Sequence, residues 1–170
     1  MNGVDPARLA ELLDEHGPAL ELFARQWCRS PGDVVQEAFL RLIHQRAWPD
    51  NAVAWLYTVV RNGAISAARG ERRRAKHESL AAEHACEWFL ALDEPALDAE
   101  TAAAALAQLP MEEREVIIAH LWGGLSFDQV ATLVGTSSSS AHRRYQSGLA
   151  KLRAELEATC PKDSRSRKTL

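Results

Sequence analysis

The chain lacks most of what would mark a secreted, membrane-bound or catalytic protein. It has three cysteines in 170 residues, Cys28, Cys86 and Cys160, odd in number and widely spaced, with no Cys-x-x-Cys pair. A disulfide framework needs closer, even-numbered cysteines, so these read as reduced thiols in a cytosol. His77, His84 and Cys86 lie near one another, but their spacing matches no usual zinc arrangement, and neither metal nor cofactor is expected. No apolar run approaches membrane-spanning length, and the N-terminus lacks a basic stretch followed by an apolar one. A soluble, cytoplasmic chain without membrane contact is therefore expected. There is no glycine-rich phosphate loop and no Ser/His/Asp constellation, which argues against an enzyme. Sustained alternation of strand type is absent too.

What is present is helical. Apolar residues make up 46% of the chain and recur at three- and four-residue spacing almost throughout, while the seven prolines and nine glycines mostly fall at helix ends. The expected fold is all-α. Asp5-Pro6 opens a helix with Leu9, Leu12 and Leu13 on one face, and Gly17 should stop it before Pro18 reopens another through Leu20, Phe23 and Trp27. Ser30-Pro31 repeats the cap signal before Val34, Val35, Ala38, Phe39, Leu42 and Ile43, an amphipathic stripe. The other face of that helix carries Asp33, Gln36, Glu37, Arg41 and His44. Pro49 ends the pattern, Asp50 or Asn51 caps the next helix, and Ala52 to about Ala75 reads as one long element. Val53, Leu56, Val59 and Val60 point inward there; the helical stripe also makes Trp55 core.

The net charge of −3 hides an asymmetry. Residues 61–76 hold six cations against Glu71 alone, whereas residues 77–115 hold ten acids against Arg114 alone. Cations at the end of a helix answer its dipole, but six in sixteen residues exceed that need. The segregation points to a polyanion partner that avoids the acidic middle. Residues 77–97 read as a linker, with one short helical turn at Trp88–Leu92. A second helical unit starts near Asp98 and reopens after Pro110, with Val116, Ile117, Ile118, Leu121 and Trp122 as its core stripe and Gly123-Gly124 as its stop. The tail after Ala158 is polar and basic and reads as disordered.

Residues 109–153 are the most specific stretch. Ser126 and Gln129 form a capping box, the helix they open runs Phe127–Val134, Gly135 supplies a left-handed stop, and another helix begins near Ser138. Two short helices joined by such a turn form a helix-turn-helix. The second presents His142, Arg143, Arg144, Gln146 and Lys151 with no acid before Lys151, which is what reading the DNA major groove requires.

Taken in order, DVVQEAFLRLIHQ (33–45), AWLYTVVRNGAISAARGERRR (54–74) and the helix-turn-helix resemble the extracytoplasmic-function (ECF) group of bacterial RNA polymerase sigma factors. The resemblance covers roughly residues 10–76 and 98–156. It implies two small helical domains joined by a flexible linker: sigma domain 2 over 1–76, the acidic linker over 77–97, sigma domain 4 over 98–158, and a basic tail over 159–170. It implies that Asp33, Gln36, Glu37 and Arg41 meet the clamp helices of the polymerase largest subunit, and that the polymerase flap is a further contact. Trp48, Asn51, Arg61, Asn62, Arg69, Arg72 and Arg73 would serve minus-ten recognition and melting, because aromatic faces stack on unpaired bases and cations follow the strand. Ser138, Ser139, His142, Arg143, Arg144 and Gln146 would face the minus-thirty-five element, with Arg144 on phosphate. An anti-sigma factor is an expected further partner.

Three departures stand out. Ser66 replaces the family's usual Asp, the pre-helix segment SPGD (30–33) carries fewer acids than the family's, and Ser137–Ser140 replaces a Ser-acid-Gly-Thr opening of the recognition helix. Hydroxyls cap helices and bond phosphates but discriminate bases weakly, which leaves His142 and Arg143 to read sequence. A helix-turn-helix repressor or activator is the alternative reading, but it leaves 33–74 without a role and the chain has no dimerisation heptad. A protein-only adaptor would not need two basic helices.

Overall fold

The structure is a computed structural model that describes residues 5–77 and 104–159. The linker beyond His77, its Trp88–Leu92 turn, the helix start near Asp98, His84, Cys86 and the tail beyond Thr159 lie outside the described residues. All regular structure among the described residues is helical.

Helix α1 spans Pro6–Ala24, and Asp5 caps it by accepting from the Ala7 N–H at 3.0 Å. The expected stop at Gly17 does not occur: the helix runs straight through Pro18. An interior proline costs about 3 kcal/mol in a helix. Leu20 and Phe23, just beyond it, are fully buried and return roughly 1.5–3 kcal/mol each, so packing overrides the local signal. The helix ends before Trp27, which lies edge-on to Phe23 from the following turn.

Helix α2 spans Pro31–Ile43, with Ser30 at the cap position but its side chain making no cap bond. Val35, Ala38, Phe39 and Leu42 are buried as the period requires, whereas Ile43 is exposed, as are Leu40 and Leu13. Helix α3 spans Ala52–His77, and Asn51 caps it by accepting from the Ala54 N–H at 2.8 Å. Leu56, Tyr57, Val60 and Ala64 close a three-helix bundle with α1 and α2.

The second unit holds a helical segment at 104–108, α4 (Met111–Ile117) running into a π turn (Ile118–Trp122), α5 (Phe127–Val134) and α6 (Ser138–Thr159). Val116, Ile117 and Ile118 are buried as expected, but Leu121 and Trp122 are 50% and 47% exposed. The π turn explains the correction. Its wider hydrogen bond, Gly123 N–H to the Ile118 carbonyl, inserts one residue into the helical count and rotates the residues beyond it. Ala119 and Leu125 take the inward places instead.

The two units are not separate bodies. Their buried apolar side chains form one continuous cluster from Leu20 to Ala141, with α1 packed against the π turn and α3 against α5.

Candidate functional site

The helix-turn-helix is built by local chemistry. Ser126 Oγ accepts from the Gln129 N–H at 3.3 Å and Gln129 Oε1 accepts from the Ser126 N–H at 2.8 Å, closing the capping box. Gly135 adopts φ 72°, a left-handed conformation that costs other residues about 1–2 kcal/mol, and so ends α5. Ser137 then caps α6, its Oγ accepting from the Ser140 N–H at 3.2 Å.

An aromatic wedge seats α6 on α5. His120 stacks on Phe127 at 4.2 Å, and Tyr145 meets both rings edge-on. His120 Nδ1 lies 2.7 Å from the Leu125 carbonyl, so its proton sits on that nitrogen and donates there. Phe127 also meets His142 edge-on at 4.9 Å, which orients that side chain from behind.

Ser139, His142, Arg143 and Gln146 are exposed at helical positions i, i+3, i+4 and i+7, so they share one outward face. Ser138 is half-buried beside them. Arg144 is not on that face. It is partly buried and donates to Glu112 at 2.9 Å, and Lys151 likewise pairs with Glu113 at 2.7 Å. Two of the expected cations are thus held by acids of α4.

On the first unit, Asp33, Gln36, Glu37 and Arg41 are all exposed on α2, and Arg41 pairs with Glu37 one turn away at 3.0 Å. The same face carries exposed Leu40 and Ile43, which the sequence pattern alone did not place there. A charged face with an apolar centre suits a protein partner better than a nucleic acid.

The residues assigned to the single strand divide. Asn62, Arg69, Arg72 and Arg73 are exposed along α3. Trp48 is half-buried against the core, and the Arg8 guanidinium lies 4.6 Å over its ring. Asn51 is exposed, but its side-chain oxygen is taken up as the α3 cap. Arg61 is turned inward onto Glu115 of α4, with the Trp27 ring 5.9 Å from its guanidinium.

Glu115 is almost wholly buried. Burial pushes its carboxyl above the usual range, and the hydrogen bond and charge of Arg61 only partly offset this. Burial also raises the pKa of the Tyr57 hydroxyl, which has no hydrogen-bond partner among the described residues. Among the described residues no cluster of metal-ligating side chains forms. No helix there is long and apolar enough to cross a membrane.

Comparison with known proteins shows the same division. The Sigma-70 region 2 pattern matches residues 12–74, and the Sigma-70, region 4 pattern matches residues 100–152. The chain is 32% identical to the ECF RNA polymerase sigma factor SigL of Mycobacterium tuberculosis over 167 residues, which is 90% of this chain and 91% of that one. It is 32% identical over 133 residues to the probable RNA polymerase sigma factor RfaY of Xanthomonas campestris pv. campestris, covering 73% of this chain but only 33% of the length of RfaY. Among solved structures it is similar to the sigma factor RpoE, crystallised with the anti-sigma factor NepR, from Bartonella quintana. That match has a TM-score of 0.69 at 24% identity, covering 92% of this chain and 100% of that one. CnrH, solved in complex with the cytosolic domain of CnrY, gives a TM-score of 0.60 at 25% identity and covers 92% of each chain.

Proposed function

The chain belongs to the ECF group of RNA polymerase sigma factors, and on that footing we propose how its surfaces divide the work of starting transcription. It acts as a dissociable polymerase subunit that recognises a two-part promoter and helps open it. The polymerase supplies the chemistry, the chain is not itself an enzyme, and its place is the cytoplasm. Residues 1–76 bind polymerase and the minus-ten region, and residues 98–158 bind the minus-thirty-five region.

The α2 face of Asp33, Gln36, Glu37 and Arg41, now with Leu40 and Ile43, docks on core polymerase. Asn62, Arg69, Arg72 and Arg73 follow the melted strand. Trp48, Asn51 and Arg61 serve the same strand only after rearrangement, since each is engaged within the protein. His142, Arg143 and Gln146 enter the major groove. An anti-sigma factor, as NepR is for RpoE, would silence the chain by covering these faces.

The outward face of α6 carries this reading: a capped, aromatic-seated helix that presents hydrogen-bond donors and no acid before Lys151. Copurification with core polymerase, followed by transcription from a two-part promoter, tests it. Stimulated initiation is expected. Duplex binding as a dimer without polymerase association would instead make the chain a repressor or activator.

A further inference from the structure

The opening turn of α1 has no share in the surfaces that meet polymerase or DNA, yet it lies against one of them. Arg8, on that turn, is exposed and holds its guanidinium 4.6 Å over the Trp48 ring. Trp48 is half-buried against the core, so an exposed guanidinium lies on the side of the ring that faces solvent. That is the side on which an unpaired base would stack. The Trp48 Nε1 is buried and has no hydrogen-bond partner among the described residues. A buried indole usually gains such a partner, and a ring without that tether can adjust its tilt to a new neighbour. Charge makes the placement informative. A stacked base brings a phosphate on either side, and phosphates call for cations. From Ala52 to Val60 α3 carries none, and Arg61 is taken up by Glu115. The row of Arg69, Arg72 and Arg73 begins roughly 25 Å along the helix from Ala52. At the Trp48 end the loop offers exposed Arg46, countered by Asp50, and the fold adds Arg8 from a helix far from that loop in sequence.

We propose that Arg8 belongs to the single-strand site: a captured base takes its place on the Trp48 ring, and the guanidinium moves onto a phosphate flanking that base. The exchange is favourable in chemistry and easy in space. An exposed cation–π contact is weaker than a charge-assisted hydrogen bond to phosphate. A long side chain on the first turn of a helix swings without disturbing the core, which Arg8 does not enter. The site is then assembled from distant segments, the loop for the base and α1 for the backbone beside it. This inference rests on the reading of Trp48 as a base-capturing residue.

The test uses holoenzyme, assembled with the full-length chain, on a forked duplex from a promoter that it transcribes, with the minus-ten non-template strand unpaired. Variants are compared at equal helix content and full assembly with polymerase. Affinity is followed against salt concentration, and 2-aminopurine in the unpaired strand reports stacking on an indole by its quenching. Arg8→Ala should bind about tenfold more weakly, with a salt slope shallower by about 0.7, the share of one single-strand phosphate. Arg8→Lys should keep the wild-type slope. On a strand whose phosphates beside the captured base are uncharged methylphosphonates, wild type and Arg8→Ala should bind alike. Arg46→Ala, which retains Arg8, should lose affinity on that strand as the wild type does. Undiminished binding by Arg8→Ala overturns the proposal. A loss with an unchanged slope overturns it too, because Arg8 then only supports Trp48. Trp48→Leu keeps apolar packing and removes the stacking ring, so it should abolish quenching at one position. A Trp48→Leu holoenzyme that quenches like the wild type overturns the reading of Trp48 itself. Lost quenching in Trp48→Leu beside an unchanged slope in Arg8→Ala overturns the exchange and leaves that reading in place.

Discussion

His142 and Arg143 stand on the outward face of α6 with their donors free of acids among the described residues, whereas Arg144 is already paired with Glu112. Alanine at either of the first two should relax preference at particular base pairs by about 1–3 kcal/mol each, measured by binding to a panel of single-base promoter variants. Alanine at Arg144 should instead weaken all sequences alike and loosen the seat of α6, by no more than about 1 kcal/mol for a partly exposed pair. Equal losses by all three on every sequence would refute that division. Tyr57 gives a prediction of the opposite sign. Its hydroxyl is buried without a partner among the described residues, so Tyr57→Phe should stabilise the protein by about 1 kcal/mol, which raises the thermal midpoint by roughly 2–4 °C for a protein of this size. At this scale exposure on a helix face was legible in the sequence, and the partners of the inward side chains were not. Arg144 looked like a phosphate contact because charge is visible in a sequence, while its partner, thirty-odd residues away on another helix, is not.

Helices are where local chemistry and packing compete most openly. The α5 boundaries and both turns of the helix-turn-helix were legible because each stop has a residue-level cause: the capping box at Ser126, the left-handed Gly135, and the hydroxyl of Ser137. Removing these causes should be measurable. Ser126→Ala should cost about 0.5–2 kcal/mol and Gly135→Ala about 1–2 kcal/mol in urea unfolding, with α6 losing hydrogen-exchange protection first. Neither Pro18 nor the π turn was legible in this way. A proline tolerated for the sake of Leu20 and Phe23, and a single residue inserted to bring Ala119 and Leu125 inward, are both decided by contacts far away in sequence. The insertion also turned Leu121 and Trp122 outward, against the periodicity. On α2 the structure enlarges the docking face. Replacing Asp33, Gln36 and Glu37 with Lys should abolish most polymerase binding at unchanged helix content, and Leu40→Ala alone should weaken it measurably in a titration of labelled core enzyme. Undiminished binding by the triple variant would remove α2 from the interface.

The whole molecule departs most from its sequence. Composition and charge pointed to two helical units, and both are there. Their union was invisible, because Arg61 and Glu115 are 54 residues apart and belong to segments of opposite charge that read as destined to avoid each other's partners. With one apolar cluster running across the seam, the wild-type chain should unfold in a single cooperative transition by calorimetry. Glu115→Arg should split that transition in two. A biphasic wild-type trace would mean that the shared core contributes too little to couple the units.

The seam also has a consequence for dosage. Its two faces are carried on one chain, so closure is a first-order event, governed by an effective concentration on the order of millimolar rather than by how much protein is present. A contact as weak as about 4 kcal/mol between separated units is then enough to keep roughly half the chains shut. Synthesising more of the protein multiplies shut and open chains in equal proportion. Only a competitor for the closed state changes the ratio, so the fraction of open chains tracks the supply of whatever binds between the units and not the abundance of the protein itself.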